Sequence, residues 1–149
     1  LVLDVLRGLG RADCQVLAPV RSHLHQEDLE TLPLNIHVTD WIPTHQLGDA
    51  VDLAITHGGE GTVQTSCVQG WPFIGIPLQL EQRFNVQRCV AFGSARLVSQ
   101  KEARRADWAA LVREALADDV MRSRARRVAE LMKGLDGPGQ AAEAICKLL

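Results

Sequence analysis

Between Gln15 and Ser99, short apolar runs alternate with helix-like stretches, and this alternation constrains the fold more than any other feature of the chain. The runs are Gln15–Val20, Asn35–Trp41, Val51–Thr56, Phe73–Leu78 and Ala95–Ser99. Several are apolar throughout instead of alternating with polar residues, as expected of strands buried on both faces. Helix-like stretches separate them at Gln26–Thr31, Thr44–Ala50, Thr62–Gly70 and Gln82–Phe92. The βαβα order predicts an α/β fold with an open parallel sheet of about five strands and helices on both faces, joined by right-handed crossovers. Beyond Ser99 the strands stop. Lys101–Ala117, Asp119–Leu135 and Gly139–Leu149 read as a helical C-terminal tail, punctuated by Asp119 and by Gly137-Pro138-Gly139. The tail is rich in arginine, interspersed with Glu and Asp, which reads as a solvated helix face.

A chain of 149 residues is a single-domain length, enough to remove roughly 70% of its unfolded surface from water. With 46% hydrophobic residues, 23% charged residues and a net charge of -2, the composition gives no argument for a nucleic acid or an acidic membrane as partner. No apolar stretch approaches the ~18 residues of a membrane span, and no signal-peptide pattern is present. The expectation is a cytoplasmic protein. Cys14, Cys67, Cys89 and Cys146 form no C-x-x-C pair, fall in apolar segments and read as buried free thiols. The chain opens at Leu1 with an amphipathic helix over Leu1–Leu9 that has no cap or strand before it, and so reads as part of something longer.

Three polar clusters each follow an apolar run: Trp41-Ile42-Pro43, His57-Gly58-Gly59-Glu60-Gly61-Thr62 and Leu80-Glu81-Gln82. In a parallel sheet the carboxyl ends of the strands share one edge, where open α/β folds bind ligands. The central cluster lies between a strand and a helix expected to begin near Thr62. Its glycines let backbone approach a ligand, and helix N–H groups favour an anion. His57 and the Thr62 hydroxyl add hydrogen-bonding capacity. The loop is neither a P-loop nor a G-x-G-x-x-G fingerprint, since Gln64 stands where a third Gly belongs. A tight Gly turn capped by Thr is the plainer reading of this loop alone. Trp41 is either a core residue or a flat face for a nucleobase. Glu81-Gln82 is either a helix N-terminal turn or a pair for sugar hydroxyls.

Taken together, W-x-P at Trp41, H-G-G-x-G-T at His57–Thr62, Gly70-Trp71-Pro72, Pro77 and E-Q-x-x-N at Glu81–Asn85 resemble the donor-site signature of GT-B-fold, nucleotide-sugar-dependent glycosyltransferases. The bacterial macrolide and natural-product branch is the nearest in pattern, and the likeness covers nearly the whole chain, residues 1–149. The resemblance implies a Rossmann-like donor domain, one half of a two-domain GT-B enzyme. The whole enzyme would be an inverting, metal-independent hexosyl-type transferase acting on a small hydroxyl-bearing acceptor.

The resemblance also implies roles. Trp41 stacks on uracil or thymine, the Ile42 backbone meets the base edge, and Thr44 occupies a position where plant relatives carry Gln. His57, Gly59, Gly61 and Thr62 hold the diphosphate of a UDP- or dTDP-sugar, with His57 stabilising the leaving group. Glu81 and Gln82 bind the sugar. No metal and no cofactor are implied, and no D-x-D motif occurs. The acceptor pocket and general base belong to an N-terminal domain of the same enzyme, leaving no catalytic base in this chain. Thr65 stands where a ribose-binding Glu is frequent, and Glu60 replaces a small residue, placing a carboxylate near the diphosphate. Two other readings are open: a separate donor-binding subunit that needs a partner chain, and a sugar-nucleotide epimerase using Glu60 and Glu81. His23 and His25 form an H-x-H pair without further zinc ligands nearby, and His37 and His45 read as structural or surface residues.

Overall fold

The computed structural model describes residues 1–148, and its core is built from five three-residue strands: β1 (Val16–Ala18), β2 (Ile36–Val38), β3 (Ala54–Thr56), β4 (Phe73–Gly75) and β5 (Ala95–Leu97). Each lies inside one of the expected apolar runs. All pairings are parallel: Val16 faces Ile36, Ala54 faces Phe73, and Phe73 faces Ala95. The ladder comes in two pieces, a two-stranded sheet β1-β2 and a three-stranded sheet β3-β4-β5.

Among the described residues eight α-helices surround the strands: α1 (Val2–Leu9), α2 (Gln26–Glu30), α3 (Glu60–Gln69), α4 (Leu80–Phe92), α5 (Gln100–Ala103), α6 (Trp108–Leu116), α7 (Asp119–Met132) and α8 (Gly137–Cys146). Strand alternation distributes them over both faces. On β4, Phe73 and Ile74 are buried to 1% and 0% exposure on opposite sides. Ile74 joins a core with α1 (Val5, Leu6, Leu9), α6 (Trp108, Val112) and the β1-β2 pair. Phe73 joins Ala95, Val63 of α3 and Val86 of α4.

Three stretches depart from the sequence reading for local reasons. Thr44–Ala50 forms two 3-10 turns, Thr44–Gln46 and Gly48–Ala50, in place of one helix. Gly48 takes a left-handed φ of 48°, and its carbonyl accepts the Trp71 indole N–H at 2.8 Å, which breaks the helical path. Lys101–Ala117 divides into α5 and α6 because two start signals act on it, one just before it and one inside it. Ser99 and Glu102 form a capping box, and the Asp107 side chain accepts from the Ala110 N–H at 3.1 Å. The buried Trp108 indole then takes the Ala103 carbonyl at 2.9 Å, closing the end of α5. The third helix of the tail begins at Gly137, where Asp136 caps Gly139 at 2.9 Å. The last residue of that expected helix, Leu149, lies outside the described residues.

The thiols are less hidden than expected. Cys14, Cys67 and Cys89 are half-buried and Cys146 is exposed, because the tail helix α8 buries none of its residues. All four are free, as expected. The thiols of Cys67 on α3 and Cys89 on α4 interact, which pushes the pKa of Cys67 up and lowers that of Cys89 to about 7.

Candidate functional site

The loop after β3 runs straight into α3. The helix starts at Glu60, two residues earlier than the sequence indicated, with Gly59 as its N-cap and no side chain capping it. The N–H groups of Glu60, Gly61 and Thr62 therefore stand free at the positive end of a helix of ten residues. Hydroxyls brace the loop from behind. Thr56 Oγ donates to Thr62 Oγ at 2.7 Å, and Thr62 Oγ donates to the Gly59 carbonyl at 2.9 Å. The Gly58 N–H donates to Thr56 Oγ at 3.2 Å. The Thr62 hydroxyl is thus committed inward, and its backbone N–H is the donor it has to offer.

Each glycine here answers to a different requirement. Gly58 has φ 85°, and a Cβ would meet Val86 Cγ2 at 2.5 Å and the Gln82 carbonyl at 2.9 Å, so no side chain fits. At Gly59 a Cβ would collide with the ring of His57, which is itself exposed. Gly61 is different: a Cβ there meets nothing within 4 Å. The fold does not need a glycine at Gly61.

Helix α4 brings the third cluster to this loop. Asn85 Nδ2 donates to the Gly58 carbonyl at 3.2 Å and also to Glu81 Oε1. One side chain therefore ties the glycine loop to the exposed carboxylate of Glu81. Gln82 is buried to 9%, and its Oε1 accepts from the Leu78 N–H at 2.8 Å, so the amide N–H₂ is its uncommitted end. Val86, fully buried, sits under both Gly58 and Gly75, so α4 packs close to β4 as well as to the loop.

The Trp41 cluster follows β2. The strand ends at Val38, three residues before Trp41, which is consequently 74% exposed; the core reading of this residue is corrected. Pro43 at φ -76°, ψ 78° makes a tight turn in which the Thr44 N–H donates to the Ile42 carbonyl at 2.9 Å. Ile42 and Thr44 are half-buried. The segment is anchored by Gln69 Nε2 donating to the His45 carbonyl and by the Trp71 indole on Gly48, each at 2.8 Å. His45 is exposed; its carbonyl anchors the segment, and its ring Nε2 meets Gln46 Nε2 at 3.3 Å. His37 bonds Gln15 at 2.8 Å, in keeping with a surface role. Among the described residues no three His, Cys, Asp or Glu side chains converge, and His23 and His25 gather no further ligand.

Glu60 is exposed at the first position of α3, where its carboxylate complements the helix dipole. Thr56, Gly58 and Asn85 are site-building residues that no motif reading singled out individually. The signal for Asn85 was its spacing, one helical turn after Glu81.

Parallel strands whose carboxyl ends carry an uncapped helix N-terminus, an exposed indole and a braced Glu/Gln pair give a domain of the doubly wound α/β class, with these groups at the edge where such folds bind ligands. The chain belongs to the family described as Erythromycin biosynthesis protein CIII-like, C-terminal domain, which matches residues 3–148. It is 30% identical over 151 residues to 4'-demethylrebeccamycin synthase of Lentzea aerocolonigenes, covering 97% of this chain and 34% of that protein. The fold superposes on the calicheamicin glycosyltransferase CalG4 with a TM-score of 0.82 at 24% identity, covering 97% of this chain and 38% of that one. The glycosyltransferase VinC, solved in complex with DTDP, gives a TM-score of 0.82 at 19% identity over 99% of this chain and 37% of its own. The chain spans about a third of the length of the curated relatives it matches. Among the described residues no helix is long and apolar enough to cross a membrane.

Proposed function

We propose that this chain is the donor-binding domain of an inverting, metal-independent glycosyltransferase that takes a UDP- or dTDP-sugar and glycosylates a small hydroxyl-bearing acceptor. The observation that carries the reading is Gly61, a glycine the fold leaves in open space on an uncapped helix N-terminus. A diphosphate fits there: the amides of Gly59, Gly61 and Thr62 and the imidazole of His57 supply donors, and the helix dipole supplies field. As the anomeric C–O bond breaks, charge grows on the leaving diphosphate, and these donors stabilise it without a metal. Trp41 stacks on the base, while the Ile42 N–H and Thr44 face its edge. Glu81 accepts from and Gln82 donates to sugar hydroxyls. The VinC structure, with its nucleoside diphosphate, supports the choice of ligand class. The acceptor pocket and general base are assigned to an N-terminal domain of the same enzyme, which works in the cytoplasm.

Titration calorimetry with UDP and dTDP in the presence of chelator tests this directly. Saturable binding to at least one diphosphate is expected. Trp41→Ala should weaken it by ~1–3 kcal/mol of lost stacking and His57→Ala by ~1.5–3 kcal/mol of lost charge-assisted hydrogen bonding. The Glu81→Ala/Gln82→Ala pair should weaken nucleotide sugar but spare the bare diphosphate. A folded sample that binds neither nucleotide, or variants that bind as the parent does, would overturn the assignment.

A further inference from the structure

Helices α3 and α4 run side by side. Both are crossovers of the β3-β4-β5 sheet, α3 from β3 to β4 and α4 from β4 to β5. Right-handed connections therefore place them on one face of the sheet, parallel to each other. Val63 of α3 and Val86 of α4 meet there, in the cluster built on Phe73 and Ala95. Residues three and four positions apart share a helix face. One turn beyond Val63 stands Cys67, and one turn beyond Val86 stands Cys89. Because the helices are parallel, that step carries both side chains the same way along the shared interface. Cys89 packs against the same cluster, and its thiol interacts with that of Cys67.

The other two thiols lie elsewhere. Cys14 packs on the core of the opposite sheet face, and Cys146 is exposed on α8. Cys67 and Cys89 are half-buried, so a small oxidant reaches them while their neighbours hold them in place. The two are also unequal. The pKa of Cys89 is lowered to about 7 by the Cys67 thiol, against the opposing effect of burial. The pKa of Cys67 is pushed up by the same contact and by burial. The thiolate is the nucleophilic form of cysteine, and a reactive thiolate beside a second thiol is the arrangement that closes to a disulfide on oxidation.

We propose that Cys67 and Cys89 form a reversible oxidation site between α3 and α4, closed to a disulfide by hydrogen peroxide and reopened by a thiol reductant, with Cys89 attacking and Cys67 resolving. The Cys89 thiolate attacks one peroxide oxygen and the O–O bond breaks. Cys89 becomes a sulfenic acid, and the other oxygen leaves as hydroxide, which takes up the proton that Cys89 released on ionising. The Cys67 sulfur then attacks the Cys89 sulfur and the S–O bond breaks. The departing hydroxide takes the Cys67 proton. Two thiols together lose two electrons and two protons, and one peroxide becomes two waters. The new bond joins the last turns of the two helices whose first turns carry the glycine loop and Glu81-Gln82. The site rests on the packing of α3 against α4 and is independent of whether a nucleotide binds.

Peptide mapping after peroxide treatment tests this on the 149-residue chain. The folded chain is exposed to a slight excess of hydrogen peroxide, blocked with iodoacetamide and digested without reductant. The expected product is a monomer that has lost about 2 Da, carries a Cys67–Cys89 cross-linked peptide and keeps Cys14 and Cys146 as free thiols. Dithiothreitol should return all four thiols. In urea the oxidation of Cys89 should be several-fold slower, because the neighbour that favours its thiolate has moved away. Cys89→Ser should abolish the cross-link. Cys67→Ser should leave Cys89 as a sulfenic acid that dimedone captures, faster than dimedone captures Cys67 in Cys89→Ser. The map of the unsubstituted chain decides the matter even where a substituted chain fails to fold. Four results would overturn the proposal: Cys67 and Cys89 both still reduced in the folded chain when Cys146 is oxidised; a link from either of them to Cys14, Cys146 or a second chain; oxidation of Cys89 as fast in urea as in the folded chain; and capture of Cys67 as fast as capture of Cys89 in the two substituted chains.

Discussion

Gly61 separates what the fold requires from what a ligand requires. A glycine inside a helix costs about 0.5–1 kcal/mol relative to alanine, and nothing in the surroundings of Gly61 demands that cost. Gly61→Ala should therefore raise stability by about 0.4–1 kcal/mol, read from a denaturant melt. The same methyl, set on the free amides, should weaken nucleoside diphosphate binding about tenfold or more, or about 1.4 kcal/mol. A variant that is more stable and binds as before would remove the main support for placing the diphosphate at α3. Which glycines serve the fold was not legible in the string H-G-G-x-G-T. Gly58 is fixed by its positive φ and by Val86, a residue of another helix, so the distinction needed tertiary contacts. Trp41 was ambiguous for a related reason: its exposure follows from where β2 stops, and strand ends carry little periodic signal. The spacing that brings Glu81 beside Asn85 was legible, because one helical turn is a local property.

At the level of elements, caps explain most of the differences between expected and observed boundaries. Asp118 is the most informative of them. Its carboxylate accepts from the Met121 N–H at 2.9 Å at the start of α7 and from Arg96 of β5 at 3.0 Å. The backbone bond, and after it the Arg96 guanidinium, hold the carboxyl below the usual carboxylate range. A depressed folded value means that the stabilisation is full above the unfolded value of about 3.9 and disappears as pH falls through the folded one. Asp118→Asn keeps an N-cap acceptor but loses the ion pair. The variant should be less stable than the parent at neutral pH, and the gap should close as urea melts are taken below the carboxylate range. A gap that stays constant through acid would assign the cost to shape rather than charge. The strand–helix order itself could be read from hydropathy alone. What escaped the reading was the pair of 3-10 turns near Gly48 and the break at Asp107, where side chains compete for helix carbonyls and amides.

For the whole molecule, the division of labour is the main expectation. Holding an acceptor hydroxyl in line supplies ~7–11 kcal/mol of a barrier, and a base adds ~10²–10⁴-fold. On the proposed reading this chain would offer leaving-group stabilisation, and the acceptor's base would come from the N-terminal domain. Nucleoside diphosphate release from donor, assayed across an acceptor panel, should show no acceptor-dependent turnover by the 149-residue chain. Turnover should appear when an N-terminal acceptor domain is joined to it. Turnover by the chain alone would show that the base lies within it. The overall α/β architecture was legible from the apolar runs, whereas the split of the sheet was not, since pairing depends on partners that no single run encodes. The first helix has a further consequence. Gly8 of α1 lies where a Cβ would strike Trp108, and Asp4 pairs with Arg104, 100 residues further along the chain, at 3.3 Å. On a ribosome adding about 5–20 residues per second, the apolar side of α1 emerges ~5–20 s before its partner does, so the nascent chain carries an uncovered greasy surface while the intervening 100 residues are made.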